Sequence, residues 1–172
     1  QHSDRVLIWS ANMNITVSNL PAAREQVAAV TARHKGLIES QSDSGESRAD
    51  YILRIPVTAF PAAVDDLTAL GEVEYRNVSG EDVTAQYVDL QARLKSKQEL
   101  RQRYSALLEK ATEVKDVLAI ENELNRVQTE IEQMEAQLKM MNGQIEYSVV
   151  RLSLSRAPVR GPLGLVFHGI GW

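Results

Sequence analysis

The feature that most restricts this chain is a run of sixty residues, Thr84 to Gly143, with no proline and no glycine before its last position. Nothing inside it breaks a helix. Its second half keeps a regular 3-4 spacing: Val117, Ile120, Leu124, Val127, Ile131, Met134, Leu138, Met141 and Ile145 fill successive a and d positions. The first half carries Tyr87, Leu90, Leu94, Lys97, Leu100, Tyr104, Leu107 and Ala111, with one spacing shortened at Lys97. Folding the run about residue 112 sets Leu107 against Val117, Tyr104 against Ile120, Leu100 against Leu124, and Lys97 against Val127. The same register sets Leu94 against Ile131, Leu90 against Met134, and Tyr87 against Leu138. Arg93, Arg101, Arg103 and Lys110 flank the first seam, while Glu121, Glu123, Glu130 and Glu135 flank the second. Opposite charges on facing helices favour this pairing.

The expectation is therefore an antiparallel coiled-coil hairpin over 83–143. Each arm of about 28 residues would be roughly 42 Å long, so its tip should project from a small domain. The proposed turn, Lys110-Ala111-Thr112-Glu113, lacks Gly and Pro, and Thr112 is the candidate N-cap of the second arm. The rival is one helix of about 60 residues that dimerises through its seam, with ends roughly 90 Å apart.

What precedes the run reads as alternating strands and helices. Residues 5–17 alternate, with Leu7, Trp9, Ala11, Met13, Ile15 and Val17 on one face. Ser18 or Asn19 is placed to cap a helix with Pro21 in its first turn. Leu20, Ala23, Val27, Val30 and His34 make its stripe, and Gly36 is expected to stop it. A strand from Leu37 to about Ser42, a polar turn at 43–47 and a strand over 50–57 follow. Pro56 belongs at a strand end or edge. A second helix aligns Phe60, Val64, Leu67 and Leu70 and should end at Gly71. A strand over 72–78 would point Val73 and Tyr75 inward, and Ser79-Gly80 reads as a turn. After the long run, Glu146 to Arg156 alternates again and should return to the same sheet.

The order β-α-β-β-α-β predicts an α+β ferredoxin-like sandwich. The domain expectation is a sandwich from 5–82 and 144–156, a helical hairpin over 83–143, and a Gly/Pro-rich tail at 157–172. That tail turns apolar and ends on Trp172. It reads either as a disordered tail or as the approach to a membrane segment, since Trp favours the membrane interface.

Composition excludes several function classes. The chain has 172 residues, a net charge of -4 and no cysteine. Disulfides, thiolate metal sites and thiol nucleophiles are therefore absent. A mildly acidic chain whose arginines are dispersed and not interleaved with aromatics gives no reason to expect nucleic-acid binding. No run of about 18 apolar residues occurs, so no membrane span is expected within the sequence. It begins at Gln1 rather than Met, as a processed protein or a trimmed piece would.

No residue pattern carries chemistry. His2, His34 and His168 are scattered and lack an H-x-x-x-H or H-E-x-x-H partner. His34 ends a helix, where a cation suits the dipole. Asp65 and Asp66 are adjacent on a helix and read as a solvated face. Glu81, Asp82 and Asp89 cluster at the start of the long run, where carboxylates favour a helix N-terminus and Asp82 or Thr84 can cap it. Lys97 in the seam reads as a snorkelling stem or a register-setting residue. Met134, Met140 and Met141 read as core filling. No catalytic, cofactor-binding or metal-binding residue is expected.

The run Asp82-Val83-Thr84-Ala85-Gln86-Tyr87-Val88-Asp89-Leu90-Gln91-Ala92-Arg93-Leu94 resembles the signature of a bacterial family designated DUF4349, a domain of unknown function. Arg54-Ile55-Pro56-Val57 with Phe60, Leu70-Gly71-Glu72-Val73, and Glu123 to Gln128 with Glu130-Ile131-Glu132 resemble it too. The resemblance covers about residues 5–156. It implies an exported, lipoprotein-like or membrane-anchored envelope protein on the extracytoplasmic face of a bacterial membrane, and it implies no activity. The expectation is a non-catalytic, membrane-tethered protein-interaction module, an envelope scaffold or signal-sensing domain. Its partners would be envelope proteins, the membrane through flanking segments, or a second copy of the chain. A ligand-binding sensor that uses the sandwich is the alternative, and a hydrolase the remote one.

Overall fold

A computed structural model describes residues 5–158. The expected tail lies outside the described residues from position 159 onward, as do His2 and His168. The elements, in chain order, are β1 (Leu7–Val17), α1 (Leu20–Arg33), β2 (Leu37–Ser44), β3 (Arg48–Pro56), a short 3-10 turn (Val57–Ala59), α2 (Phe60–Thr68), β4 (Glu72–Asp82), α3 (Thr84–Lys110), α4 (Val114–Glu146) and β5 (Tyr147–Arg156). The chain is thus a mixed α+β protein with one five-stranded sheet in the order β2-β3-β5-β1-β4. It divides into two compact units: residues 10–79 with 147–158, and residues 5–9 with 80–146.

In the first unit, β5 runs parallel to β1 and antiparallel to β3, and β2 and β3 form an antiparallel pair. The final strand therefore returns to the middle of the sheet, between β1 and β3. Alternation decides which face is buried. Ala11, Met13, Ile15 and Val17 of β1, Ala49, Tyr51, Leu53 and Ile55 of β3, and Val150, Leu152 and Leu154 of β5 are buried. Against them pack α1, with Leu20, Ala23, Val27 and Val30, and α2, with Phe60, Ala63, Val64 and Leu67. The buried hydroxyls of Thr31 and Ser148 are satisfied by backbone carbonyls: Thr31 donates to Val27 O at 2.7 Å and Ser148 to Ile55 O at 2.8 Å. Pro56 sits at the end of β3, where its missing N–H costs no ladder bond.

Asn19 is the cap of α1, its side chain accepting from Ala22 N–H at 3.1 Å. The other end differs from expectation. His34 is the C-cap, and Lys35, not a glycine, takes the left-handed conformation at φ 58°. Lys35 N–H donates to Ala32 O and Gly36 N–H to Thr31 O, the paired bonds of a Schellman ending. Gly36 serves close approach instead: a Cβ there would lie 2.6 Å from Arg54 O. Gly71 has a similar role, with a Cβ position 2.2 Å from Thr16 O.

Strand β4 corrects two expectations. Val73 and Tyr75 are not inward but 39% and 51% exposed, and the whole strand is exposed. Tyr75 instead shares a depression with Asn12, Asn14 and Arg151 on the face turned away from α1 and α2, while its neighbour Arg76 reaches Asp65 of α2. Ser79-Gly80 is not a turn but part of this strand.

In the second unit, α3 and α4 run in opposite directions, joined by residues 111–113. Leu94, Val127 and Ile131 form one buried cluster, with Leu100, Tyr104, Met134 and Leu138 partly buried around it. Val83, Leu90 and Met141 form another, flanked by Val6, Ile8, Tyr87 and Ile145. Cross-helix bonds hold the register: Tyr87 donates to Asn142 Oδ1 at 2.7 Å and Arg101 to Gln128 Oε1 at 2.9 Å. The ending at Gly143 is corrected. Helix α4 runs through it to Glu146; a helical glycine costs about 1 kcal/mol, which packing of Met141 and Ile145 offsets. The opening carbonyl of α4 is Glu113's, which accepts from Val117 N–H at 3.0 Å, rather than that of Thr112. In this same unit Gly80 lies against Trp9, whose ring would be 2.7 Å from any added Cβ.

Candidate functional site

The root of α3 is fixed by a short chain of polar bonds. Asp82 Oδ1 accepts from Thr84 N–H at 3.0 Å and from its hydroxyl, and Thr84 Oγ1 accepts from Val6 N–H at 2.8 Å. The Thr84 hydroxyl, and then its backbone N–H, hold Asp82 below the usual carboxylate range. Asp89 pairs with Arg93 at 2.9 Å, one helical turn on. Within the Asp82–Leu94 run, Val83, Leu90 and Leu94 are buried. Outward, Gln86, Val88 and Asp89 line an open groove with Asp82 and Ala85.

Lys97 is neither a lone snorkelling stem nor an isolated charge. Its Nζ lies 2.6 Å from Glu130 Oε2 on α4, and that bond holds Glu130 below its ordinary range. Arg126 approaches the other Glu130 oxygen at 3.5 Å. Met134 and Met141 pack in the clusters, whereas Met140 is exposed.

The far end of the helix pair departs from the sequence reading most clearly. Leu107, assigned to the seam, is 53% exposed, and Val114 and Leu118 are 74% and 55% exposed. Val114 and Leu118 are four residues apart and share one side of α4. Lys110, Glu113, Lys115 and Asp116 surround this apolar end in the sequence. Single exposed apolar residues are ordinary on a protein surface; Leu107, Val114 and Leu118 lie within eleven positions of one another in the sequence.

The helix-free face of the sheet is the other accessible surface. The register places Asn12 beside Arg151, which lies beside Ile52, and Asn14 beside Ser153, which lies beside Asp50. These residues and Tyr75 line a shallow depression of about 300 Å³. Asp50 accepts from Ser153 Oγ at 2.7 Å and from Arg48 at 3.1 Å. The serine hydroxyl, followed by Arg48, holds its carboxyl below the usual range. Arg54 lies 5.8 Å from the Tyr147 ring centroid on the same unit.

Two groupings were not apparent from the sequence. His34 Nε2 lies 2.7 Å from Asp66 Oδ2, and Arg33 reaches the same oxygen at 3.2 Å. Asp66 is therefore not a merely solvated carboxylate; the bond to His34 keeps it below its usual range. Asp65 reaches Arg76 at 3.8 Å. Arg24 pairs with Asp43 at 3.4 Å, and burial, with Asp43 nearby, pushes the Tyr51 hydroxyl up. Partners such as these lie on separate elements, and no local spacing announces them. Among the described residues, no three His, Cys, Asp or Glu side chains converge as metal ligands, and no helix is long and apolar enough to cross a membrane.

A family model described as "Domain of unknown function (DUF4349)" matches residues 5–164 of this chain. No curated protein and no solved structure matches it.

Proposed function

This chain belongs to the DUF4349 family, and from that premise we propose that it is a non-catalytic, membrane-tethered protein-interaction module on the extracytoplasmic face of a bacterial membrane. The observation that carries this reading is the apolar end of the helix pair, where Leu107, Val114 and Leu118 stand exposed. Large apolar side chains that find no seam partner offer the desolvated centre a protein interface needs. The buried clusters nearer the root leave this end free to be the part that is offered. We read the sheet unit as a ferredoxin-like sandwich opened between β1 and β3 to admit β5, and the helix pair as its inserted coiled-coil hairpin.

The test places a photocrosslinking residue at Leu118 or at Ser42, on an exposed strand, in membrane-bearing cells. Crosslinks to a discrete partner from Leu118 but not from Ser42, lost in a Leu107→Ser/Val114→Ser/Leu118→Ser variant, are the expected outcome. Equal crosslinking from both positions removes the helix end from the proposal.

A second reading is favoured by the depression on the sheet: the sheet unit binds a small ligand and acts as a sensor. Its volume sits at the low end of small-molecule sites, roughly 300–1,000 Å³.

A further inference from the structure

We infer that the helix-free face of the sheet binds a sugar acid, a carboxylated ring of an acidic glycan, in the depression bounded by Asn12, Asn14, Tyr75 and Arg151. This rests on the ligand-binding reading of the sheet unit.

Arg48 and Arg54 of β3 and Arg151 of β5 stand on this face; Arg54 lies over the Tyr147 ring, and of the three Arg151 alone lines the depression. Arg48 is committed to Asp50 through three contacts of 3.1–3.2 Å. The side chain of Arg151, exposed on the central strand β5, makes no hydrogen bond or ion pair among the described residues. In a chain of net charge -4, a free guanidinium in a lined depression is complementary to a carboxylate, whose two oxygens match its planar fork. The Asp50 carboxylate, locked in place by Arg48 and Ser153, lies two residues along β3 from Ile52, the neighbour of Arg151. A ligand offering only phosphates or carboxylates would meet that fixed negative charge, whereas hydroxyl groups beside a carboxylate would donate to it.

The neutral groups specify a polyol. Asn12 and Asn14 stand on the same face of β1, roughly 7 Å apart at the rise of an extended strand. Neither amide is hydrogen-bonded among the described residues. Each offers a donor and an acceptor together, and a sugar hydroxyl demands both from its neighbours. Tyr75, half exposed on β4, supplies a ring for the C–H face of a pyranose, and Ile52 an aliphatic floor. The depression is open at its rim, so a ring within a longer chain fits as well as a free sugar.

The experiment uses the full chain, isotope-labelled, with four probes followed by amide chemical shifts: tetragalacturonate, maltotetraose, a tetraglutamate peptide and inorganic phosphate. Tetragalacturonate should shift amides at 12–14, 50–52 and 151–153, and bind about tenfold or more tighter than the other three, the scale of one charge-assisted pair. Arg151→Gln should lose that advantage, with Arg151→Lys recovering part of it and Asn14→Ala weakening binding several-fold. These positions are wholly or partly exposed, and an unchanged melting curve establishes that each variant folds. Unaltered binding by Arg151→Gln, or equal binding of tetraglutamate or phosphate at this face, overturns the glycan assignment and leaves the ligand reading standing. No shift at this face with any probe overturns both.

Discussion

The two units bury their apolar residues in different ways. The sheet unit encloses a layer, with β1, β3 and β5 on one side and α1 and α2 on the other, and most of its core side chains are almost wholly hidden. The helical unit has only a seam. Six residues there are buried, in two small clusters; Met134, Leu138, Leu100 and Tyr104 lie partly buried around the Leu94–Val127–Ile131 cluster, and Val6, Ile8, Tyr87 and Ile145 flank the other. A layer excludes water from every direction, whereas two helices shield only the line between them. Burial therefore differs around α4: Ile131, on the seam, is fully covered, whereas Leu118, off the seam, is open.

The largest effect that would break this contrast is expected in the layer. Leu53→Ala or Leu152→Ala should cost about 3–5 kcal/mol, the upper range for a truncated core leucine, because neighbours locked on three elements cannot close the cavity. Chemical denaturation measures it. Ile131→Ala should cost about 2–3 kcal/mol, since Met134 and Leu138 can shift into the gap. Equal losses at Leu53 and Ile131 would mean that the seam is as rigid as the layer.

Smaller changes sharpen the picture at the margins of the layer. Lys35→Gly should stabilise the chain by about 0.5–1 kcal/mol, by relieving a side chain held at φ 58°. A pH series tests the link between α1 and α2. Asp66 is held below its reference value of 3.8 mainly by His34, so its contribution is fully present above that value. It is lost as pH falls through the lowered native value. The melting temperature of Asp66→Asn should therefore lie below that of the parent at pH 6, and the difference should shrink toward pH 3. A difference that grows in acid would reverse the assignment. The smallest effect is expected at the far end of the helix pair, where Leu118→Ser should change stability by no more than about 0.5 kcal/mol. A loss near that of Ile131→Ala would show that this end is covered in solution.

Sequence alone reveals periodic burial well and long-range pairing poorly. The alternation of Met13, Ile15 and Val17, of Tyr51, Leu53 and Ile55, and of Val150, Leu152 and Leu154 names the inner face of three strands, because each of those strands has a layer to meet. Val73 and Tyr75 alternate as well, but a strand's pattern cannot say which of its faces the helices cover. The glycines mislead for a related reason. Gly36, Gly71 and Gly80 are read as local stops or turns, yet each accommodates an atom from a distant stretch: Arg54 O, Thr16 O and the Trp9 ring. The same limit hid which apolar and polar side chains stay exposed. Leu107 has the spacing of a seam residue, and only the partner helix decides whether a seam is there. Arg151 and Asn12 are 139 positions apart and become neighbours through sheet register alone.

The central place of β5 bears on the order in which the molecule can form. The strand that fills the gap between β1 and β3 emerges after both long helices. Until it arrives, β1 and β3 each lack a neighbour, and contacts such as that of Ser153 with Asp50, 103 residues apart, cannot exist. Closing such long intervals slows folding more than it weakens the product. The sheet is thus a late event in the life of the chain. A nascent polypeptide that has not yet released its last strand stays open at its centre, and completion of the sheet reports that everything through residue 156 has been delivered.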